Sequence, residues 1–181
     1  MASHIASLIM EAMNAECCQN FAGPKHTLVD FHRMMTRLVE MEDSQYSYRN
    51  VLAAYTSGGI LAGICVAYDG GKLHQLRRRF YEAALEAFGI DYTGMTDETE
   101  DGEFYIDSLA VSSNFRGKGI ASQLLQATIE RGAELGIPTV GLLVDKGNPK
   151  AEALYQHLGF VYVNDSTWGG HPMRHLQYKH D

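Results

Sequence analysis

Arg116-Gly117-Lys118-Gly119-Ile120-Ala121 places two cations and two glycines where a strand gives way to a helix. Upstream, Phe104 to Val111 is rich in aromatic and β-branched residues, and Ser112, Ser113 and Asn114 close it as loop formers. Downstream, Ile120, Leu124, Leu125, Thr128 and Leu135 recur at helical spacing. The first backbone N–H groups of a helix have no partner within it and lie at the positive end of its dipole. Glycines turn such amides towards a ligand and Arg116 and Lys118 add charge, so the bend suits a pyrophosphate.

Three nucleotide patterns compete for this bend. A Walker loop needs glycine where Ser112 stands before Gly117-Lys118, and it fails. A dinucleotide fingerprint fits GKGIAS poorly, because Ser122 replaces the third glycine, the turn after Val111 is long, and the acidic residue Asp145 comes late. The third pattern, R-x-x-G-x-A, reads as Arg116, Gly119 and Ala121. Here the chain resembles the GNAT superfamily of N-acetyltransferases, whose acetyl-CoA motif is Q/R-x-x-G-x-G/A at such a junction. Asn148 to Phe160, NPKAEALYQHLGF, is similar to that family's second motif, N-x-x-A-x-x-L-Y-x-x-L-G-F. Together the motifs span Glu103 to Val163.

The resemblance implies one domain over residues 1–181, with an α/β fold: a mixed, mostly antiparallel central sheet with helices on both faces. It implies transfer of the acetyl group of acetyl-CoA to a primary amine, on a small molecule or a protein or peptide, directly in a ternary complex. Neither a metal nor a covalent nucleophile is needed. The strand carrying Leu109, Ala110 and Val111 would splay from its neighbour at a bulge near position 110 and pair with the pantetheine arm. The Val111 amide would steady the oxyanion, and Arg116, Gly117, Lys118, Gly119, Ile120 and Ala121 would hold the pyrophosphate. Asn148 falls on the asparagine that bonds the coenzyme arm, and also reads as an N-cap before Pro149. Tyr155 falls on the tyrosine that protonates the departing thiolate.

Direct transfer also wants a base. Side chains alternate along a strand, so Glu103, Tyr105, Asp107 and Leu109 are expected on one face. Asp107 is the first choice for the base and Glu103 the second. The glutamate that some family members carry on the following strand is absent, since Leu142 and Leu143 occupy those places.

Composition bounds the alternatives. At 181 residues, 45% hydrophobic and 20% charged, the chain has the make-up of a globular domain rather than a disordered one. No apolar run reaches membrane-span length and no secretory signal is evident, so no membrane and a cytoplasmic address are expected. Cys17, Cys18 and Cys65 show no C-x-x-C and the histidines no ligand spacing, which implies reduced thiols and no metal. The net charge of −7 argues against nucleic acid as a partner. Arg77-Arg78-Arg79 reads as a solvated helix face, and the stretch Asp97, Glu98, Glu100, Asp101 and Glu103 as a solvated loop or a lure for a cationic amine. A homodimer is left open. Two rival functions are a non-catalytic acyl-CoA sensor of the same fold and an NAD-binding oxidoreductase.

The elements that must position these residues follow from the pattern. Residues 2–20 and Leu28 to Met41 read as helices, and Val51 to Thr56 and Ile60 to Tyr68 as a hairpin about Ser57-Gly58-Gly59. Leu73 to Phe88 reads as an added helix stopped by Gly89, where a substrate lid could sit. Phe160 to Val163 is expected as a strand, Asn164 to His171 as a loop, and Met173 to His180 as the last strand.

Overall fold

Apolar, β-branched runs on either side of Ser57-Gly58-Gly59 pair as β1 (Val51–Tyr55) and β2 (Leu61–Asp69), and the sheet grows outward from that hairpin. β3 (Glu103–Val111) joins β2 antiparallel, and β4 (Thr139–Asp145) joins β3 as the sheet's parallel pair. β6 (His171–Lys179) lies antiparallel to β4, and β5 (Val161–Trp168) forms the far edge. The computed structural model describes residues 1–181 and gives the order β1-β2-β3-β4-β6-β5, the mixed and mostly antiparallel sheet expected.

Helices cover both faces. α1 (Ala2–Met13), α2 (Ala15–Ala22), α3 (Leu28–Glu40) and α4 (Leu73–Phe88) bury Ile9, Phe31, Met35, Leu38 and Phe80 against Ile64, Val66 and Ala110 of the sheet. α5 (Ile120–Glu134) and α6 (Pro149–His157) close the other face over Cys65, Phe104, Ile106, Val140, Leu142 and Leu176. Burying such side chains supplies the main stabilisation, about 1.5–3 kcal/mol for each large apolar residue. α4 ends as its sequence implies, with Gly89 left-handed at φ 68°.

Several expectations are corrected. The first helix breaks at Asn14, whose φ of 72° no regular helix accommodates. Its side chain then accepts from the Cys17 N–H at 2.9 Å and caps α2. Residues 164–171 are not a loop: β5 runs on to Trp168 and turns into β6 through Gly169-Gly170, both at positive φ as a two-residue hairpin turn requires. Polar Asn164, Asp165, Ser166 and Thr167 hid this edge strand, which has no apolar face to announce it.

The basic and acidic runs also differ from their expected solvated forms. Arg78 is exposed and Arg79 pairs with Asp43 at 2.7 Å, but Arg77 is only 1% exposed. Its partner is Glu98, at 2.8 Å and with a side chain 6% exposed, while Glu103 is 2% exposed. A buried charge without a partner is expensive, so each run divides between residues that pair inside and residues that remain in water.

Candidate active site

The site begins with a mismatch of strand lengths. β3 and β4 pair from Glu103↔Thr139 to Ile106↔Leu142 and then part. β3 continues to Val111 on β2, while β4 continues to Asp145 on β6. The gap between them opens a cavity of about 610 Å³.

A bulge sits at the head of the gap. Val66 faces Ser108 and Ala67 faces Ile106, so Asp107 is the extra residue on β3. The bulge expected near position 110 therefore lies at 107. It also breaks the alternation: Tyr105 packs with Tyr68 and Leu73, but Leu109 packs into the core beneath α5 and α6, and Ala110 into the opposite core. Glu103, Tyr105, Asp107 and Leu109 do not share a face.

Beyond the bulge the ladder decides which backbone groups face the gap. The Ser112 N–H donates to the Ala62 carbonyl at 2.8 Å, which makes Val111↔Gly63 and Leu109↔Cys65 the non-hydrogen-bonded pairs of the antiparallel ladder. Leu109 and Val111 thus turn their N–H and C=O groups into the gap, and Ala110 spends its own on β2. The Val111 carbonyl accepts from Arg116 Nε at 3.1 Å, while its N–H points towards the cavity.

The glycine bend closes one end of the cavity. Gly117 and Gly119 have φ of 74° and 77°, and a Cβ at either would meet nothing within 4 Å. That open space, beside the unpaired amides of the first turn of α5, fits a pyrophosphate. Arg116, Gly117 and Ala121 line the cavity. Lys118 lies over the Phe115 ring, 5.4 Å from its centroid, Gly119 is the left-handed cap of α5, and Ile120 packs into the core beneath that helix. These three border the cavity without lining it.

α6 forms the adjoining wall. Asn148 accepts from the Ala151 N–H at 3.2 Å and Pro149 opens the helix, so the side chain caps while the residue still borders the cavity. Tyr155 lines the cavity about two helical turns further on and packs edge-on against Phe160 at 6.0 Å. Burial pushes its hydroxyl up to about 12, which keeps it protonated at any working pH.

At the other end, beneath the bulge, two carboxylates face the cavity. Asp107 accepts from the Tyr68 hydroxyl at 2.7 Å, the Ser108 hydroxyl at 3.0 Å and the Gln45 amide at 3.2 Å. Desolvation nevertheless leaves it above the ordinary carboxylate range. Glu98 receives Arg77 on one oxygen and the Tyr105 hydroxyl, at 2.7 Å, on the other. Burial first, and then the charge of Asp107, raise Glu98 to about 7 despite Arg77. Met13, Asn14, Cys17, Trp168, His171 and Met173 also line the cavity.

Glu103 lies elsewhere. It accepts from the Thr99 hydroxyl at 2.7 Å and Gln177 at 2.7 Å, is paired with His175 at 2.6 Å, and does not line the cavity. Glu98 was missed because it sits in an acidic run that looks solvated. Its only signal was Arg77, an arginine on the same register of α4 as Phe80 and Ala84. Cys17, Cys18 and Cys65 are unpaired, and burial pushes their thiols up to between about 11 and about 12, so none is a ready nucleophile. No helix is long and apolar enough to cross a membrane.

A sheet split at a bulge, with a glycine turn at one end of the gap and a tyrosine-bearing helix at its side, defines an acyltransferase-type α/β fold. The sequence profile of the Acetyltransferase (GNAT) family matches residues 24–160, more than half of the chain, and the chain belongs to that family. A solved acetyltransferase superposes with a TM-score of 0.78 at 27% identity, covering 98% of this chain and 94% of the other. An N-acetyltransferase from Staphylococcus aureus Mu50 superposes at 0.77 with 20% identity, covering 98% and 94%, and supports the fold alone. Among curated relatives, the mycothiol acetyltransferase of Propionibacterium freudenreichii subsp. shermanii is 35% identical over 42% of this chain and 24% of its own length. GCN5-related N-acetyltransferase 4, chloroplastic, of Arabidopsis thaliana is 25% identical over 87% of this chain and 60% of its own. The chain thus spans less than two thirds of the length of these relatives.

Proposed function

We propose that this chain transfers the acetyl group of acetyl-CoA to a primary amine, directly, with both substrates bound together. The observation that carries this reading is the gap between β3 and β4, which runs from the Gly117-Gly119 turn to the Glu98 and Asp107 carboxylates past the backbone groups of Leu109 and the N–H of Val111. Such a gap has a phosphate-binding end, a strand-like middle and a proton-accepting end, in the order that an acyl-CoA and an amine require.

The chemistry assigned to this chain's own groups is limited and specific. An attacking amine must be neutral, and Glu98 and Asp107 take its proton as a coupled pair. A base that titrates close to the working pH is best matched to that task, which favours Glu98 as the group setting the acid limb. The Val111 N–H faces the place where negative charge develops on the acyl oxygen. Tyr155 donates to the leaving thiolate. Acetyl-CoA supplies an activated acyl group, and the protein orients it and excludes water.

The names of relatives leave the acceptor's size open. Matches include a probable spermine N(1)-acetyltransferase of Bacillus subtilis subsp. natto and an N-alpha-acetyltransferase MAK3 of Arabidopsis thaliana, so both small amines and peptide amino groups belong in the test. Thiol release from acetyl-CoA should depend on an amine from such a panel, with sequential rather than ping-pong kinetics. Binding of acetyl-CoA with no release on any amine would favour a sensor, and preferential binding of NAD would overturn the reading.

A further inference from the structure

We infer that Arg77, on the helix added between the hairpin and β3, is a positioning residue for the proposed transfer, holding Glu98 in the cavity wall. The inference rests on the transferase reading for its kinetic consequence, but its geometry stands independently.

Arg77 is the most voluminous fully buried side chain in the protein, 1% exposed, whereas its neighbours Arg78 and Arg79 reach solvent. The two terminal nitrogens of its guanidinium serve one short segment. Nη1 donates to the Thr96 carbonyl at 3.1 Å and lies 3.6 Å from Asp97, and Nη2 donates to Glu98 Oε1 at 2.8 Å. Residues 96–98 belong to no helix or strand; His74 of α4 holds Asp97 at 2.9 Å, and the Arg77 fork is what fastens Glu98 itself to α4. The Tyr105 hydroxyl of β3 then holds Glu98 Oε2 at 2.7 Å. Pinned from both sides, the carboxylate keeps one orientation at the cavity and a spare lone pair on each oxygen.

The surroundings decide the sign of Arg77's effect. From the elements packed around it, Glu98 meets Arg77 of α4, Asp107 and Tyr105 of β3, Tyr68 of β2, Tyr46 before β1 and Cys17 of α2. Arg77 is the one cation among them. It opposes both desolvation and the charge of Asp107, so its loss raises the pH at which Glu98 releases its proton. Lysine in its place keeps the charge but loses the planar fork.

The full-length chain with Arg77→Met or Arg77→Lys, and Arg78→Met as the surface control, tests this by two readouts. The first is the 13C side-chain carboxyl titration of Glu98, assigned by its disappearance in Glu98→Gln. The second is the pH profile of kcat/KM for amine-dependent thiol release. Arg77→Met should move the Glu98 midpoint and the acid limb upward together, by about one pH unit or more, a roughly tenfold loss of kcat/KM on that limb. Arg77→Lys should recover part of the shift, and Arg78→Met should leave both readouts unchanged. A Glu98 midpoint that stays in place in folded Arg77→Met and Arg77→Lys protein overturns the inference. Wild type without turnover on any amine would sink the transferase reading instead, and the carboxyl titration would then decide the role of Arg77 by itself.

Discussion

Tyr68 on β2 donates its hydroxyl to Asp107 on β3 at 2.7 Å, across the point where β3 carries one residue more than its partner. The bulge thereby turns a strand residue into a cavity residue, and Tyr68 fixes where its carboxylate points. Tyr68→Phe removes that donor from a buried carboxylate. Hydrogen bonds to charged groups are worth about 1.5–3 kcal/mol, so urea unfolding at neutral pH should show a loss of that order. The same change should raise Asp107 further, and kcat should fall at pH 6 more than at pH 9.

Asp107 and Glu103 lie on one strand but in different places, and the two substitutions should separate. Asp107→Asn should lower kcat of the folded fraction by about 10²-fold or more. Glu103→Gln alters a buried cluster with Thr99, His175 and Gln177, and should lower the urea midpoint while leaving kcat of the folded fraction near wild type. Equal losses of kcat in the two variants would contradict the placement of the base.

In the proposed transfer, Glu98 links proton acceptance to stability. Its folded value is raised from 4.5 to about 7, so the folded chain holds this proton more tightly than the unfolded chain does. The resulting stabilisation is full below the unfolded value and is lost as pH climbs through the folded one. Glu98→Gln does not titrate there, and the difference in unfolding free energy between wild type and this variant should shift against wild type between pH 4 and pH 8. A flat difference would mean that Glu98 titrates normally.

Gly119 tests the phosphate end. Its φ of 77° disfavours any side chain by about 1–2 kcal/mol, and a β-branched one would also project into the open bend. Gly119→Val should weaken acetyl-CoA binding by about tenfold or more in calorimetry, beyond what its loss of stability explains. Tyr155→Phe should do the reverse, lowering kcat by about 10²-fold while leaving acetyl-CoA affinity nearly unchanged.

The parts of this protein governed by local rules were legible in its sequence. The glycine turn before α5, the Asn148-Pro149 start of α6, the β1–β2 hairpin and the span of α4 each follow from turn, cap or periodicity signals. What could not be read depends on tertiary partners. A bulge at Asp107 rather than near 110 is set by how β2 and β3 pack, and that shift reassigned Leu109 to the opposite face. Arg77 and Glu98 are ordinary surface residues by type, and only their pairing away from solvent sets Glu98 in the cavity wall with Arg77 behind it. The edge strand β5 is exposed on most of its length, so its polar residues carried no pattern to find.

The most direct test of the central claim is acetyl-CoA turnover by the purified full-length chain, read as thiol release against a panel of small amines and peptide N-termini, with NAD as the binding control. The account predicts saturable acetyl-CoA binding and release that requires both the amine and an intact Asp107. Release that proceeds without an amine, or binding of NAD with none of acetyl-CoA, would contradict it.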